Sequence, residues 1–535
     1  MPRFNLLKSV SCASLVDNRK LTLSEVQSQT SIMKVVLFIT SFLFFRARCA
    51  KILGVFPAPG YSQFILAEVL MTELAKRGHQ VTVISPYRPK DEPPNYKTIL
   101  TNEVIEGTSD VISLWDLESQ NLLKNIMASY DFGNVITQKT LQNKEVQELL
   151  QSNEHFDLVI VEHFFDDALK GFAAHFKAPL VLFSSMGSTE WNRECMGAPM
   201  LPTINAVIYT QYTNRMRFFQ RIRNLYGTIF DYLYRHYVFY PVQRKYMAQY
   251  FPSSMDFDKV LYNASLMLVN SHVTTSENAL LPYNMIEIGG FHVITKPLGK
   301  EIQTFLDGAT DGAILFSLGS NLHSSDLSQD TRNVIFKVFA KLKQKILWKF
   351  ETDLPDKPKN LFISKWFKQR DILAHPNIKL FITHGGLLST EEAIFNGVPM
   401  VGIPVFADQR INMARAKSNG VASVVSFSKL SEETLFEAVN ETLKNPSYRN
   451  NAKRLSSMIK DRPIEPLELA MYWIEYTMRH SGMTFKPSSL YLHWLEMYMV
   501  DIACFLVFNS LVVLLVIFGL MRICKSKNSD KQKKQ

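Results

Sequence analysis

Cysteine is almost absent from the interior of this chain. Of the five in 535 residues, Cys12, Cys49, Cys504 and Cys524 lie toward the ends and only Cys195 falls in the body. No two have metal-ligand or redox spacing, and a disulfide framework is excluded from the body. Low-complexity tracts and repeats of fixed period are missing there too. With 47% hydrophobic and 20% charged residues, a globular body is expected and extensive disorder is not. A charge excess is missing as well, once the formal +10 is located: residues 1–50 carry +5, residues 522–535 carry +5, and the stretch between is close to neutral. A polyanion such as nucleic acid therefore loses its main support as a partner. The length points to two large domains plus terminal segments.

The ends are informative. Residues 502–523 form a nearly unbroken apolar run, long enough to cross a hydrocarbon core of ~30 Å, and Arg522, Lys525 and Lys527 follow it. That order predicts a transmembrane helix and a cytosolic tail, residues 524–535. Lys531 and Lys533 resemble a dilysine retrieval signal for the endoplasmic reticulum, the alternative being a generic basic stop-transfer tail. Near the front, Lys34 and the apolar run Val35–Phe45 predict a signal peptide over 33–50, while residues 1–32 are an uninterpreted extension. The expected topology is single-pass type I in the endoplasmic reticulum membrane, with the body lumenal. The sequons at Asn263 and Asn440 agree with that placement.

Inside the body, Ile52–Phe56 reads as a buried strand, Phe64–Arg77 as an amphipathic helix and Val81–Ser85 as the next strand, which makes a βαβ unit. A second series of strands is expected at Ala313–Leu318, Ile346–Phe350, Leu361–Ser364, Ile378–Thr383 and Met400–Ile403. The fold class is α/β with two facing Rossmann-like domains, 51–290 and 291–480, a juxtamembrane segment 481–501, and ligands held between the domains. Between Arg215 and Phe251 the chain is basic and aromatic, read either as a surface for membrane lipid or as a solvated helix packing its aromatic side inward.

The most specific segment runs Trp366-Phe-Lys-Gln369, then Phe381-Ile-Thr-His384-Gly-Gly386-Leu-Leu-Ser389-Thr-Glu-Glu392, then Asn396-Gly-Val-Pro399 and on to Asp408-Gln409. In this order the residues resemble the UDP-glycosyltransferase superfamily, especially its insect-type membrane members. The resemblance implies a GT-B fold with acceptor binding in 51–290 and UDP-sugar binding in 291–480. It also implies inverting transfer of a hexose, glucose or glucuronate, to a small lipophilic acceptor. Its residues for the donor would be His384 and Gly386 on the phosphates with Ser317, Gly319, Ser320 and Ser389 adding donors, Trp366 stacking on uracil, Gln369 on the uridine edge, Glu392 on ribose, and Asp408 and Gln409 on the sugar. Physical reading agrees: a strand, a glycine loop and a helix start make an anion site, with Ser389 and Glu392 read as a capping box for that helix. No cofactor or metal is expected, and homo- or hetero-oligomers stay open.

The match breaks at one position. The family's catalytic histidine falls where this chain has Gln63, in Ser62-Gln63-Phe64, and glutamine has no titrating nitrogen. The family's orienting carboxylate corresponds to Glu162, left as an acid/base or electrostatic group, with His163 beside it as a substitute base. Ala279-Leu280 stands where members carry Arg-Pro. Two readings besides an active transferase remain: a weakened UDP-binding relative acting through a partner subunit, and a non-enzymatic carrier.

Overall fold

Strands buried on both faces must be continuously apolar, and the sequence supplies such runs in two series. The computed structural model describes residues 49–109, 121–213, 215–252, 254–276, 280–354, 357–480 and 486–532, with side chains through residue 523. The N-terminal extension, the expected signal peptide through residue 48, Ala279 and Lys533 lie outside the described residues. The first sheet contains β1 (Lys51–Val55), β2 (Gln80–Ser85), β3 (Tyr96–Leu100), β4 (Leu158–Glu162), β5 (Leu180–Ser184), β6 (Leu266–Val269) and β7 (Met285–Glu287). Its strands are parallel, in the order β3-β2-β1-β4-β5-β6-β7. The second contains β8 (Ala313–Ser317), β9 (Lys345–Lys349), β10 (Leu361–Ser364), β11 (Ile378–Thr383), β12 (Met400–Gly402) and β13 (Ala422–Val424). It too is parallel, ordered β10-β9-β8-β11-β12-β13.

The helices that position the site are α1 (Tyr61–Lys76), α2 (Leu122–Gln142), α3 (Phe218–Tyr234), α4 (Gln369–Leu373), α5 (Leu387–Phe395), α6 (Gln409–Ser418) and α7 (Pro466–Arg479). A last helix, α8 (Val500–Gln532), carries the exposed apolar stretch Val500–Ile523. Close packing of α1 on β1 depends on Gly54, where a Cβ would sit 2.7 Å from the Met71 methyl carbon.

Layer packing explains one unexpected crossing. Helix α7 lies beyond the second sheet in sequence, yet Ala470, Met471 and Ile474 enter the apolar cluster of the first half, beside Leu66, Leu70 and Leu74 of α1. Burial of Met471 and Ile474 contributes on the order of 2 kcal/mol each. Arg77 reinforces the contact through Glu468 (2.6 Å) and Glu475 (3.3 Å).

Candidate active site

Each sheet reverses its strand order once, between β1 and β4 in the first and between β8 and β11 in the second. Ligands of open parallel sheets sit at the carboxyl ends of strands at such switch points. Gln63 follows β1 and Glu162 ends β4, while Ser317–Ser320 follow β8 and His384–Gly386 follow β11. Topology alone therefore gathers four of the predicted segments.

In the first half, Gln63 Nε2 donates to Glu162 Oε1 at 2.8 Å and to Ser185 Oγ at 3.3 Å. Glu162 is 1% exposed and its Oε2 has no partner. Burial pushes the Glu162 carboxyl up to about 7, against the hydrogen bonds from Ser185 and Gln63. The amide thus presents only its Oε1 to a neighbour, and Glu162 is the group here that titrates near neutrality. His163 is turned into a different buried set: Nε2 lies 2.9 Å from Asp167 Oδ1 and Nδ1 3.6 Å from Cys195 Sγ. Burial and Lys170 disfavour its proton, but Cys195 and Asp167 outweigh them and raise it to about 9. A histidine that keeps its proton at neutral pH is a poor base.

In the second half, the loop between β11 and α5 has Gly385 at φ +86°, and Gly386 in extended conformation is the N-cap. The first α-helical bond runs from Thr390 N to the Gly386 carbonyl, so the N–H groups of Leu387, Leu388 and Ser389 have no partner within the helix. A helix start of this kind suits an anion, and the Leu387 N–H already bonds the Asp408 carboxylate. The capping box expected from Ser389 and Glu392 is not formed. The helix starts at Leu387, which puts Ser389 in its first turn and Glu392 in its second, and both side chains are recruited sideways by Gln369. Its Nε2 donates to Ser389 Oγ at 3.0 Å and to Glu392 Oε2 at 2.6 Å.

The His384 ring is enclosed by glycines. A Cβ on Gly319, at φ +85°, would lie 2.5 Å from its Cε1, and one on Gly386 would lie 2.7 Å from its Nε2. Burial and the Lys349 ammonium lower the imidazole to about 4, so it acts as a neutral group. Ser317 Oγ accepts from the Gly319 N–H at 3.2 Å and shapes the neighbouring turn.

One cleft collects most of the predicted donor residues. Ser317, Gly319, Ser320, Trp366, Gln369, Ser389 and Glu392 line it from the second half; Tyr61, Ser62, Ile65 and Glu68 of α1 close it from the first. Trp366 is 48% exposed, with the Tyr61 ring edge-on at 5.2 Å and Lys349 Nζ 5.8 Å from its centroid. A large aromatic left half open inside a cleft has a face to offer a planar ring. Burial raises Glu392 to about 7, while Gln369 and Arg370 favour its charge and Asp371 opposes it.

Asp408 and Gln409 stand at the start of α6, outside the lining of that cleft. Asp408 Oδ2 accepts from Asn412 Nδ2 at 2.7 Å, and the same amide reaches the Gly385 carbonyl at 3.1 Å, which ties this pair to the glycine loop. Gln409 Oε1 accepts the N–H groups of Val405 (2.8 Å) and Phe406 (3.1 Å). Its amide therefore pins the loop, including Ala407 at φ +50°, and leaves its NH₂ for other partners. Sequence reasoning passed over Ser185, Tyr61 and His292. The last is fully buried on the interdomain connection, 3.9 Å from Glu392, with both ring nitrogens unpartnered. No local pattern marks these three, since tertiary contact alone brings them in.

Comparison with known proteins bears on the fold and the family. Solved structures of similar fold include CalG4, the calicheamicin glycosyltransferase, with TM-score 0.53 and 18% identity over 81% of this chain and 100% of that one. Another is the spinosyn forosaminyltransferase SpnP, with TM-score 0.54 and 14% identity over 81% and 100%. These likenesses establish the GT-B architecture. Among sequences, the UDP-glycosyltransferase UGT5 of Dactylopius coccus is 34% identical over 90% of this chain and 93% of its own length. UDP-glucuronosyltransferase 2B23 of Macaca fascicularis is 30% identical over 94% and 98%. The family described as UDP-glucoronosyl and UDP-glucosyl transferase matches residues 50–535, and the chain belongs to it.

Proposed function

We propose that the protein transfers a hexose from a UDP-sugar to small lipophilic acceptors with inversion, and that Gln63 stands where the family has its catalytic histidine. The observation that supports this reading is the donor cleft, which brings together a half-exposed Trp366, the Gln369–Glu392 pair and the first turn of α5, residues suited to a base, a ribose and a diphosphate. Asp408 and Gln409 extend that order toward the sugar hydroxyls. The leaving UDP is met by backbone N–H groups and the neutral His384, with no cofactor in the scheme. Glucose is favoured as the sugar, since one relative, 35% identical over 88% of this chain and 92% of its own length, is named UDP-glucosyltransferase 2 of Dactylopius coccus. A donor and acceptor screen on membranes containing the full chain tests the reading. Transfer from UDP-glucose to phenols or amines is expected; no turnover with any UDP-sugar would overturn it.

A second reading is favoured by one contact. Gln63 spends its NH₂ on Glu162 and Ser185 and has no lone-pair nitrogen to accept a proton. A chain so equipped suits a UDP-binding relative that works through a partner subunit. UDP would then raise its unfolding temperature without turnover of donor.

Anchoring in the endoplasmic reticulum membrane with the body lumenal belongs to the same proposal. Two features support membrane attachment itself: the exposed apolar stretch Val500–Ile523, and α3, whose buried residues are Asn224, Gly227 and Asp231 while Phe218, Phe219, Ile222, Leu225 and Ile229 face outward. Asn224 bonds the carbonyls of Pro202 and Asn205, and Tyr498, just before α8, bonds Met200. Through the loop around Met200–Asn205, α3 is therefore tied to the start of α8.

A further inference from the structure

Among the polar side chains to which the proposed transfer gives no part, His292 stands behind the donor cleft, against Glu392. It lies on the connection between the halves, just after Phe291, whose ring packs in the apolar cluster of the first half at 6.0 Å from that of Phe183. From His292 onward the chain is fastened to α4 at two points. Arg370 Nη1 donates to the His292 carbonyl at 3.0 Å, and the Lys296 N–H donates to Asp371 Oδ1 at 2.8 Å. The backbone of His292 is thereby held beside the short helix whose first residue, Gln369, bonds Glu392.

The imidazole is 0% exposed, and among the described residues neither ring nitrogen has a hydrogen-bond partner. Leaving a buried donor and acceptor unpaired costs stability, and an apolar side chain of similar volume avoids that cost. Core packing alone therefore gives no reason for a histidine here. What the ring faces does give one. Nε2 lies 3.9 Å from Glu392 Oε1, about 1 Å beyond hydrogen-bond reach, whereas Gln369 engages the other oxygen, Oε2. Burial and the Arg370 guanidinium keep the ring neutral near pH 7, so it has a single N–H to give.

We propose that His292 is a positioning residue for the ribose carboxylate: when the ribose of the donor enters, the gap closes and Nε2–H donates to Glu392 Oε1. The carboxylate is then held from both sides, by Gln369 and by His292. Each of its oxygens has two acceptor sites, so one on each stays free for a ribose hydroxyl. Burial otherwise favours the protonated form of Glu392, and a charged carboxylate is the stronger acceptor. This role rests on the proposed place of Glu392 at the ribose and adds a group that does not itself touch the nucleotide.

The test is calorimetric titration of the full chain in detergent with UDP and with 2′,3′-dideoxyuridine diphosphate, which lacks both ribose hydroxyls. His292→Met is expected to weaken UDP roughly tenfold and to leave the dideoxy nucleotide unchanged, while the melting temperature without ligand does not fall. His292→Phe serves in its place if the methionine variant does not fold. His292→Gln, which can set an amide N–H close to the position of Nε2, should recover most of the UDP affinity. In a chain already carrying Glu392→Gln, His292→Met should have no further effect on UDP. Equal weakening of both nucleotides, unchanged UDP affinity in a folded apolar variant, or a further loss in the Glu392→Gln chain overturns the positioning role alone. Failure of the unaltered chain to bind UDP overturns the donor cleft itself, and this role with it.

Discussion

At the scale of single residues, Gln63 and Glu162 decide what chemistry is available. General-base assistance is worth ~10²–10⁴ in rate, and an amide cannot give it. The chain is expected to favour acidic phenols and neutral amines over aliphatic alcohols. Gln63→His should raise alcohol transfer preferentially, by about tenfold or more, because Glu162 already stands 2.8 Å from the side chain it would orient. Side-by-side rates with both acceptor classes check this, and efficient alcohol transfer by the unaltered chain would count against it. A second expectation concerns pH. Glu162, raised to about 7 by burial, is ionised only above that value. If it supplies the base, kcat/KM rises with pH to a plateau above about 7, and Glu162→Gln both removes that limb and lowers the rate. A pH profile unchanged by the substitution would assign the limb elsewhere.

Elements show which parts of the site were legible in sequence. Continuous apolar runs such as Leu158–Val161 and Ala313–Phe316 announce buried parallel strands, and their order places the glycine loops at strand ends. The Ser389–Glu392 spacing misled, because a Ser-x-x-Glu pattern inside a helix looks the same as one at its start. Gly386 had already taken the N-cap. Ser185 and His292 were illegible because their neighbours, Gln63 and Glu392, are far away in the chain. The glycine loop yields a prediction: Gly319→Ala forces a methyl against the His384 ring at a φ of +85°. UDP affinity should fall about tenfold or more in calorimetric titration while the fold persists, since strain there amounts to about 1–3 kcal/mol. Helix α3 yields another. In a chain ending before Val500, Phe218, Phe219 and Ile222 changed together to serine should abolish sedimentation with phosphatidylcholine vesicles. Unchanged sedimentation would make the outward face of α3 an ordinary surface.

For the whole molecule, pH dependence of stability follows from groups distributed through both halves. Burial holds Glu162, Asp166, Glu190 and Glu392 at about 7 and Glu391 at about 8, above the unfolded carboxyl range, while His163 sits near 9. Each binds its proton more tightly when folded, so each contributes stability that is lost as pH rises toward those values. His272, His292 and His384, lowered to about 4, 3 and 4, act in the opposite sense, but only below about 6.5. The melting temperature should therefore fall between pH 6.5 and 9, chiefly through Glu391 and His163, since the acids held at about 7 lose most of their contribution below that; a flat or rising curve over that window would contradict the raised values of those two groups. The return of α7 onto α1 has a separate consequence, for the order in which the protein is made. Domains usually complete themselves from the N-terminus as the chain emerges during synthesis. Here the first half waits for Ala470, Met471 and Ile474 to close its apolar cluster, and these emerge after the whole second sheet. The nascent first half must then leave one side of α1 uncovered in the interval, and only residues shortly before α8 complete it.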